Sequence, residues 1–146
     1  MPRLASVLIL IVSVAWVSDA GYCMNTDIQY KDLPVSAKNA LGNFMHCVRT
    51  EDADNRHPYI VNNRVMPDNF IYCGTLVAWS GEAMPYMRRC LLQERVEGVN
   101  ITPSLIHKDA QTYSVLFGCS TDSWVEVDID VYGQKAEVVT VYQLLS

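Results

Sequence analysis

Between Trp124 and Tyr132 hydrophobic and polar positions alternate almost without error. Val125, Val127, Ile129 and Val131 fall on one side of an extended chain; Trp124, Glu126, Asp128, Asp130 and Tyr132 fall on the other. That period of two predicts a strand with one apolar face. TYSVLFGC before it and KAEVVTVY after it are also β-rich, and the gaps Gly118–Ser123 and Tyr132–Lys135 contain turn formers. Three such runs, the last two close enough for a hairpin, predict an antiparallel meander that keeps one face dry and one wet.

Upstream the period changes. In PVSAKNALGNFMHCVRTED, Ala37, Ala40, Leu41, Phe44, Met45 and Val48 recur at three and four residues, which predicts an amphipathic helix. Asp32 or Ser36 suits its cap, Pro34 its first turn, and Gly42 weakens its middle by about 1 kcal/mol against alanine. A second helix is read in SGEAMPYMRRCLLQERVEG, with Pro85 near its start, Met87, Cys90, Leu91 and Val96 turned inward, and Gly98 as its stop. The apolar run FIYCGTLVAW fits helix or buried strand. Two turns of helix are preferred, which puts Phe70, Cys73, Leu76 and Val77 on one face. EDADNRHPYIVNNRVMPDN reads as a polar loop with at most a short strand at Tyr59–Val61, and VNITPSLIHKDAQ as a connector. Together these predict an α+β domain with N-terminal helices packed on a C-terminal antiparallel β-meander, stabilised by disulfides.

The first twenty residues fit an export signal. MPR is a short basic lead, LASVLILIVSVAWV an apolar core, and Ser18 and Ala20 occupy the −3 and −1 positions of a cleavage site before Gly21. The apolar stretch is shorter than the roughly 20 residues that span a bilayer, and no later run is long and uncharged enough to span one. The expectation is a signal peptide over 1–20 and a single secreted, extracellular domain over 21–146. Cleavage removes one basic and one acidic residue, Arg3 and Asp19, so the net charge stays at −5. An acidic surface without a basic patch disfavours nucleic acid and anionic membrane. The sequon Asn100–Ile101–Thr102, on a segment read as a loop, predicts a glycan on Asn100.

Export permits disulfides, and five cysteines remain in the secreted part. Cys47, Cys73, Cys90 and Cys119 sit in or beside apolar runs and are expected to pair within the chain; Cys73 with Cys90, on consecutive segments, is one guess. Cys23, close to the new N-terminus, is the candidate for an intermolecular bond in a disulfide-linked homodimer.

Glu126, Asp128 and Asp130 follow one another at about 6.6–7 Å along one strand face. A solvated face is the preferred reading. The same five residues, Trp124, Glu126, Asp128, Asp130 and Tyr132, with Tyr142 beside them, also form a candidate binding surface, since tyrosine and tryptophan are favoured interface anchors. Calcium needs six to eight oxygens closing around it, and a flat row does not supply them. His46, His57 and His107 read as surface residues. No GxSxG, phosphate loop or other cofactor motif is present, so no cofactor is expected. The preferred function is a secreted, non-enzymatic protein acting by contact with an unknown extracellular protein. A carrier of a small apolar ligand and a small hydrolase using His107 with Asp or Glu pairs are the alternatives. A closed apolar cavity would favour the carrier, a convex face exposing Trp124 and Tyr132 the binder, and a cleft bringing His107 beside two carboxylates the hydrolase.

Overall fold

The computed structural model describes residues 29–79 and 84–145. Residues 1–20, read above as an export signal, and Cys23 lie outside the described residues. After a single 3-10 turn at Tyr30–Asp32 come α1 (Val35–Thr50), β1 (Arg56–Val61), β2 (Arg64–Tyr72) and β3 (Thr75–Ala78). Then follow α2 (Met84–Gln93), β4 (Val96–Pro103), β5 (Gln111–Ser120), β6 (Ser123–Tyr132) and β7 (Lys135–Leu145). The protein is therefore α+β, with two helices packed against one seven-stranded sheet in the order β1-β2-β3-β7-β6-β5-β4. All neighbours are antiparallel except β3 and β7. The chain closes that parallel pair only after crossing α2 and the whole β4–β7 meander, so strands do not simply follow helices as the sequence order suggested.

The meander is the part whose local pattern decided its structure. Val125, Val127 and Ile129 are fully buried under α1 and α2, as their alternation predicts. Ala37, Leu41, Phe44, Met45 and Val48 of α1 meet them with the spacing read from the sequence. Pro34 stands just before α1 and no side chain caps the helix. At the other end the Arg88 guanidinium of α2 donates to the Val48 carbonyl at 2.8 Å. A cation there satisfies one of the last carbonyls of α1 and faces the negative end of its dipole.

Four readings need correction. FIYCGTLVAW is the end of β2, a turn and β3, because Cys73 and Gly74 both take positive φ (53° and 71°) and reverse the chain in two residues. The polar stretch before it is a hairpin, turned by Asn62 and Asn63 at φ 52° and 63°; asparagine tolerates this left-handed conformation, which matches the twist of the flanking strands. The second helix stops at Gln93, where Glu94 adopts φ 53°, so Val96 and Gly98 belong to β4 rather than to the helix. Asn100, read as a loop residue, lies inside that edge strand, which tolerates Pro103 at its end.

The disulfides are Cys47–Cys73 and Cys90–Cys119, with Cα separations of 5.9 and 4.9 Å. The guessed Cys73–Cys90 pair does not form: the β2–β3 turn carries Cys73 to α1, while α2 presents Cys90 to β5. Each bridge ties a helix to the sheet and closes a long segment, 26 and 29 residues apart in sequence. Non-reducing peptide mapping should recover Cys47 joined to Cys73 and Cys90 joined to Cys119. A Cys47→Ser, Cys73→Ser double variant should lose about 2–4 kcal/mol in urea unfolding, from the loop-closure entropy returned to the unfolded chain. A recovered Cys73–Cys90 peptide would contradict the topology.

Candidate functional site

On the side of the sheet away from the helices, β4–β7 present a polar surface. Register sets it out in rows. Asn100, Ser114, Asp128 and Thr140 lie side by side, with Thr102, Thr112 and Asp130 in the next row. Glu126 pairs with Tyr142 on β7 and Leu116 on β5. The preferred reading of a wet face fails here. Glu126 is 5%, Asp128 7% and Asp130 1% exposed. β6 is flanked by β5 and β7, whose side chains crowd its outer face, and the segment 104–110 folds over one end.

Asp130 holds that segment. Its Oδ2 accepts from Ser104 Oγ at 2.6 Å and faces His107 Nδ1 at 2.9 Å, while Oδ1 accepts from Thr112 Oγ1 at 2.6 Å. Ser104 Oγ in turn accepts the Ile106 and His107 amides, and the Ser104 amide closes the loop on the Ala110 carbonyl at 2.9 Å. Burial acts to raise the Asp130 pKa, but the bonds from Ser104, Thr112 and His107 outweigh it and hold the carboxyl below its ordinary 3.8. His107 also stacks on Tyr132, with ring centroids 4.2 Å apart, and its Nε2 lies 3.4 Å from Glu137 Oε1. His107 is thus not the bare surface residue expected; His46 and His57 are exposed.

The structure does bring His107 beside two carboxylates, the condition set for a hydrolase. The connections differ from those of a nucleophile and base. Ser104 donates to the carboxylate itself rather than to the histidine, and His107 turns Nε2 to Glu137. In a serine triad the imidazole stands between the hydroxyl and the carboxylate. Here both partners bind Asp130, which makes the group a clamp on the loop.

The two aromatic residues flank the acids at opposite ends. Trp124 Nε1 donates to Glu97 Oε1 at 2.9 Å; that bond first, and Arg95 next, lower the Glu97 pKa. The Tyr132 hydroxyl donates to Glu137 at 2.8 Å, which raises the phenol above its ordinary 10.0. Both rings are half-buried, so neither is the exposed anchor of a convex docking face. Tyr142, expected beside them, donates its hydroxyl to Asp128 Oδ2. The other oxygen of Asp128, Oδ1, is out of contact with solvent and has no hydrogen-bond partner among the described residues.

Between these strands and the 104–110 segment lies a recess of about 260 Å³. Glu126, Asp128 and Asp130 contribute to its floor, Tyr142 and Thr140 to one wall, and Asn100 to the opposite wall. Leu105 and Ile106, 100% and 65% exposed, stand at its rim. The sequence marked the three acids and Tyr142. It did not mark Ser104, Thr112 or Glu137, although the in-phase polar positions of β4 and β5 signal a polar face. Among the described residues no cluster of three or more His, Cys, Asp or Glu is placed to hold a metal ion, and no helix is long and apolar enough to cross a membrane. No family model, curated protein or solved structure matches the chain.

The clamp predicts a pH signature. A depressed aspartate stabilises the fold fully above its unfolded value, 3.8, and loses that contribution as pH falls through the lower folded value. Asp130→Asn should therefore cost about 1.5–3 kcal/mol at pH 7, the scale of hydrogen bonds to a charged group. The gap to the unaltered protein should narrow below the ordinary aspartate range, and amide exchange at Ile106 and His107 should quicken. A gap unchanged in acid would show that the charge on Asp130 is not what holds the loop.

Proposed function

We propose that the protein is an exported, non-enzymatic binding protein that holds a small molecule in the β4–β7 recess. One observation carries this reading: a concave, polar-floored space on a sheet face that neither α1 nor α2 covers, bounded by a loop that a buried carboxylate keeps in place. Small-molecule sites combine such a concavity with a few fixed polar groups. Flat contact with another protein, the preferred reading of the sequence, has weaker support, because Trp124 and Tyr132 are engaged within the chain. Leu105 and Ile106 are the residues that still favour it, as an exposed apolar pair on a fixed loop.

Export belongs to the same proposal. It rests on the N-terminal pattern of residues 1–20 and agrees with two disulfides in the chain. Those bridges use four cysteines and leave Cys23 outside both, which keeps a Cys23-linked homodimer as part of the reading. Asn100 lines the recess, so a glycan on it would occupy the space a ligand needs.

Protein secreted by eukaryotic cells should begin at Gly21 with Asn100 unmodified, and should migrate as a dimer without reductant and as a monomer after Cys23→Ser. Intact mass, N-terminal sequencing and non-reducing gels read these outcomes. For the recess, ligand-observed NMR against a mixed panel of small molecules should find binders that Thr140→Phe displaces and that Ile60→Ser, on the β1–β2 hairpin, leaves bound. A panel without binders, or binders indifferent to Thr140→Phe, would remove the recess as the site.

A further inference from the structure

Resting on that reading, we infer that the ligand is a small organic ammonium, its charged nitrogen seated on Asp128 and its carbon skeleton against Leu105 and Ile106. Asp128 is the reason. A buried polar atom is almost always hydrogen-bonded, and leaving one unsatisfied is costly, most of all for a charged group. Asp128, in the floor of the recess, takes the Tyr142 hydroxyl on Oδ2, yet its buried Oδ1 receives nothing from the described residues. An ionised carboxylate only accepts, so what completes it is a donor brought from outside.

The charge around it points to a cationic donor. Glu126, Asp128 and Asp130 all border the recess, and none of the described residues lining it carries a basic side chain. His107 faces only the Asp130 end. A bound anion would meet three carboxylates at short range, whereas an ammonium supplies N–H donors and positive charge together. A bare metal ion fits less well, since the described residues form no group of three or more ligands able to surround one.

Size and rim narrow the class. About 260 Å³ lies below the roughly 300–1,000 Å³ of pockets for drug-sized ligands, which suits a free amine of modest size. Apolar Leu105 and Ile106, with Val139 also lining the recess, give an alkyl or aryl group a surface, and the Tyr142 ring stands by the carboxylate it bonds. A lysine side chain of another protein carries the same ammonium, but the limited volume and the loop over one end favour the free molecule.

The test compares 2-phenylethylammonium with its neutral analogue 2-phenylethanol and its anionic analogue phenylacetate, by calorimetry on the purified protein. Nα-acetyl-lysine amide and calcium chloride are the two further arms. The expected result is saturable binding of the ammonium at least about tenfold tighter than of the alcohol, no binding of phenylacetate, and loss of that tenfold in Asp128→Asn. The ligand comparison needs no variant, so it stands even if Asp128→Asn folds poorly. Equal binding of alcohol and ammonium would overturn the inference and leave the recess reading intact. So would failure of all three phenyl probes while Thr140→Phe still displaced other ligands; failure of the recess reading itself appears in the NMR panel, as no binders or as binders indifferent to Thr140→Phe. Tighter binding of the lysine amide would reassign the site to a protein side chain, and calcium binding lost in Asp128→Asn would reassign it to a metal.

Discussion

β6 buries both of its faces, and the two burials are achieved by opposite chemistry. On one side Val125, Val127 and Ile129 lie under the helices, where removal of apolar surface from water drives the packing. On the other side Glu126, Asp128 and Asp130 are also buried, and each ionised carboxylate taken from water costs several kcal/mol unless donors replace the lost hydration. The polar half of the molecule is organised around supplying those donors. Thr112 comes from the neighbouring strand, Tyr142 from the strand on the other side, and Ser104 and His107 from a loop that folds back over the sheet.

This places rigidity and binding capacity on the same residues. Loops are ordinarily the mobile part of a domain, but 104–110 is closed on itself by the Ser104 amide and fixed to the sheet by Asp130. The rim of the recess is consequently preorganised, which reduces the ordering entropy that a ligand would otherwise have to offset. Asp130 is complete, with three donors on its two oxygens. Asp128, two residues along the same strand, is not. The difference follows from the loop, which reaches one carboxylate and stops short of the other.

The disulfides serve the layer beneath. Cys47–Cys73 fastens the β2–β3 turn to α1, and Cys90–Cys119 fastens α2 to β5. They hold the helices against the sheet and leave its polar side open. Arg88 on the Val48 carbonyl and the buried Tyr72, whose hydroxyl donates to the Glu51 carbonyl at 3.1 Å, join α1 to α2 and β2 at the same end.

Local periodicity was enough to determine α1, the inward face of α2, the three strands β5–β7 and the α+β class, because each is a repeat that its own residues carry. The four bridge-forming cysteines were legible from their apolar surroundings, though not their pairing, which depends on where the chain turns. Two-residue turns at Asn62–Asn63 and Cys73–Gly74 converted an apparent loop and an apparent helix into strands, since only a few residues' φ angles separate those outcomes. Most of all, alternation states that Glu126, Asp128 and Asp130 share a face; it cannot state whether that face is wet. Exposure is set by what the neighbouring strands and a distant loop place on top of it. The tertiary structure therefore decided that an acidic stripe, which would sit harmlessly in water on an open sheet, is a buried row with partners from three other segments of the chain.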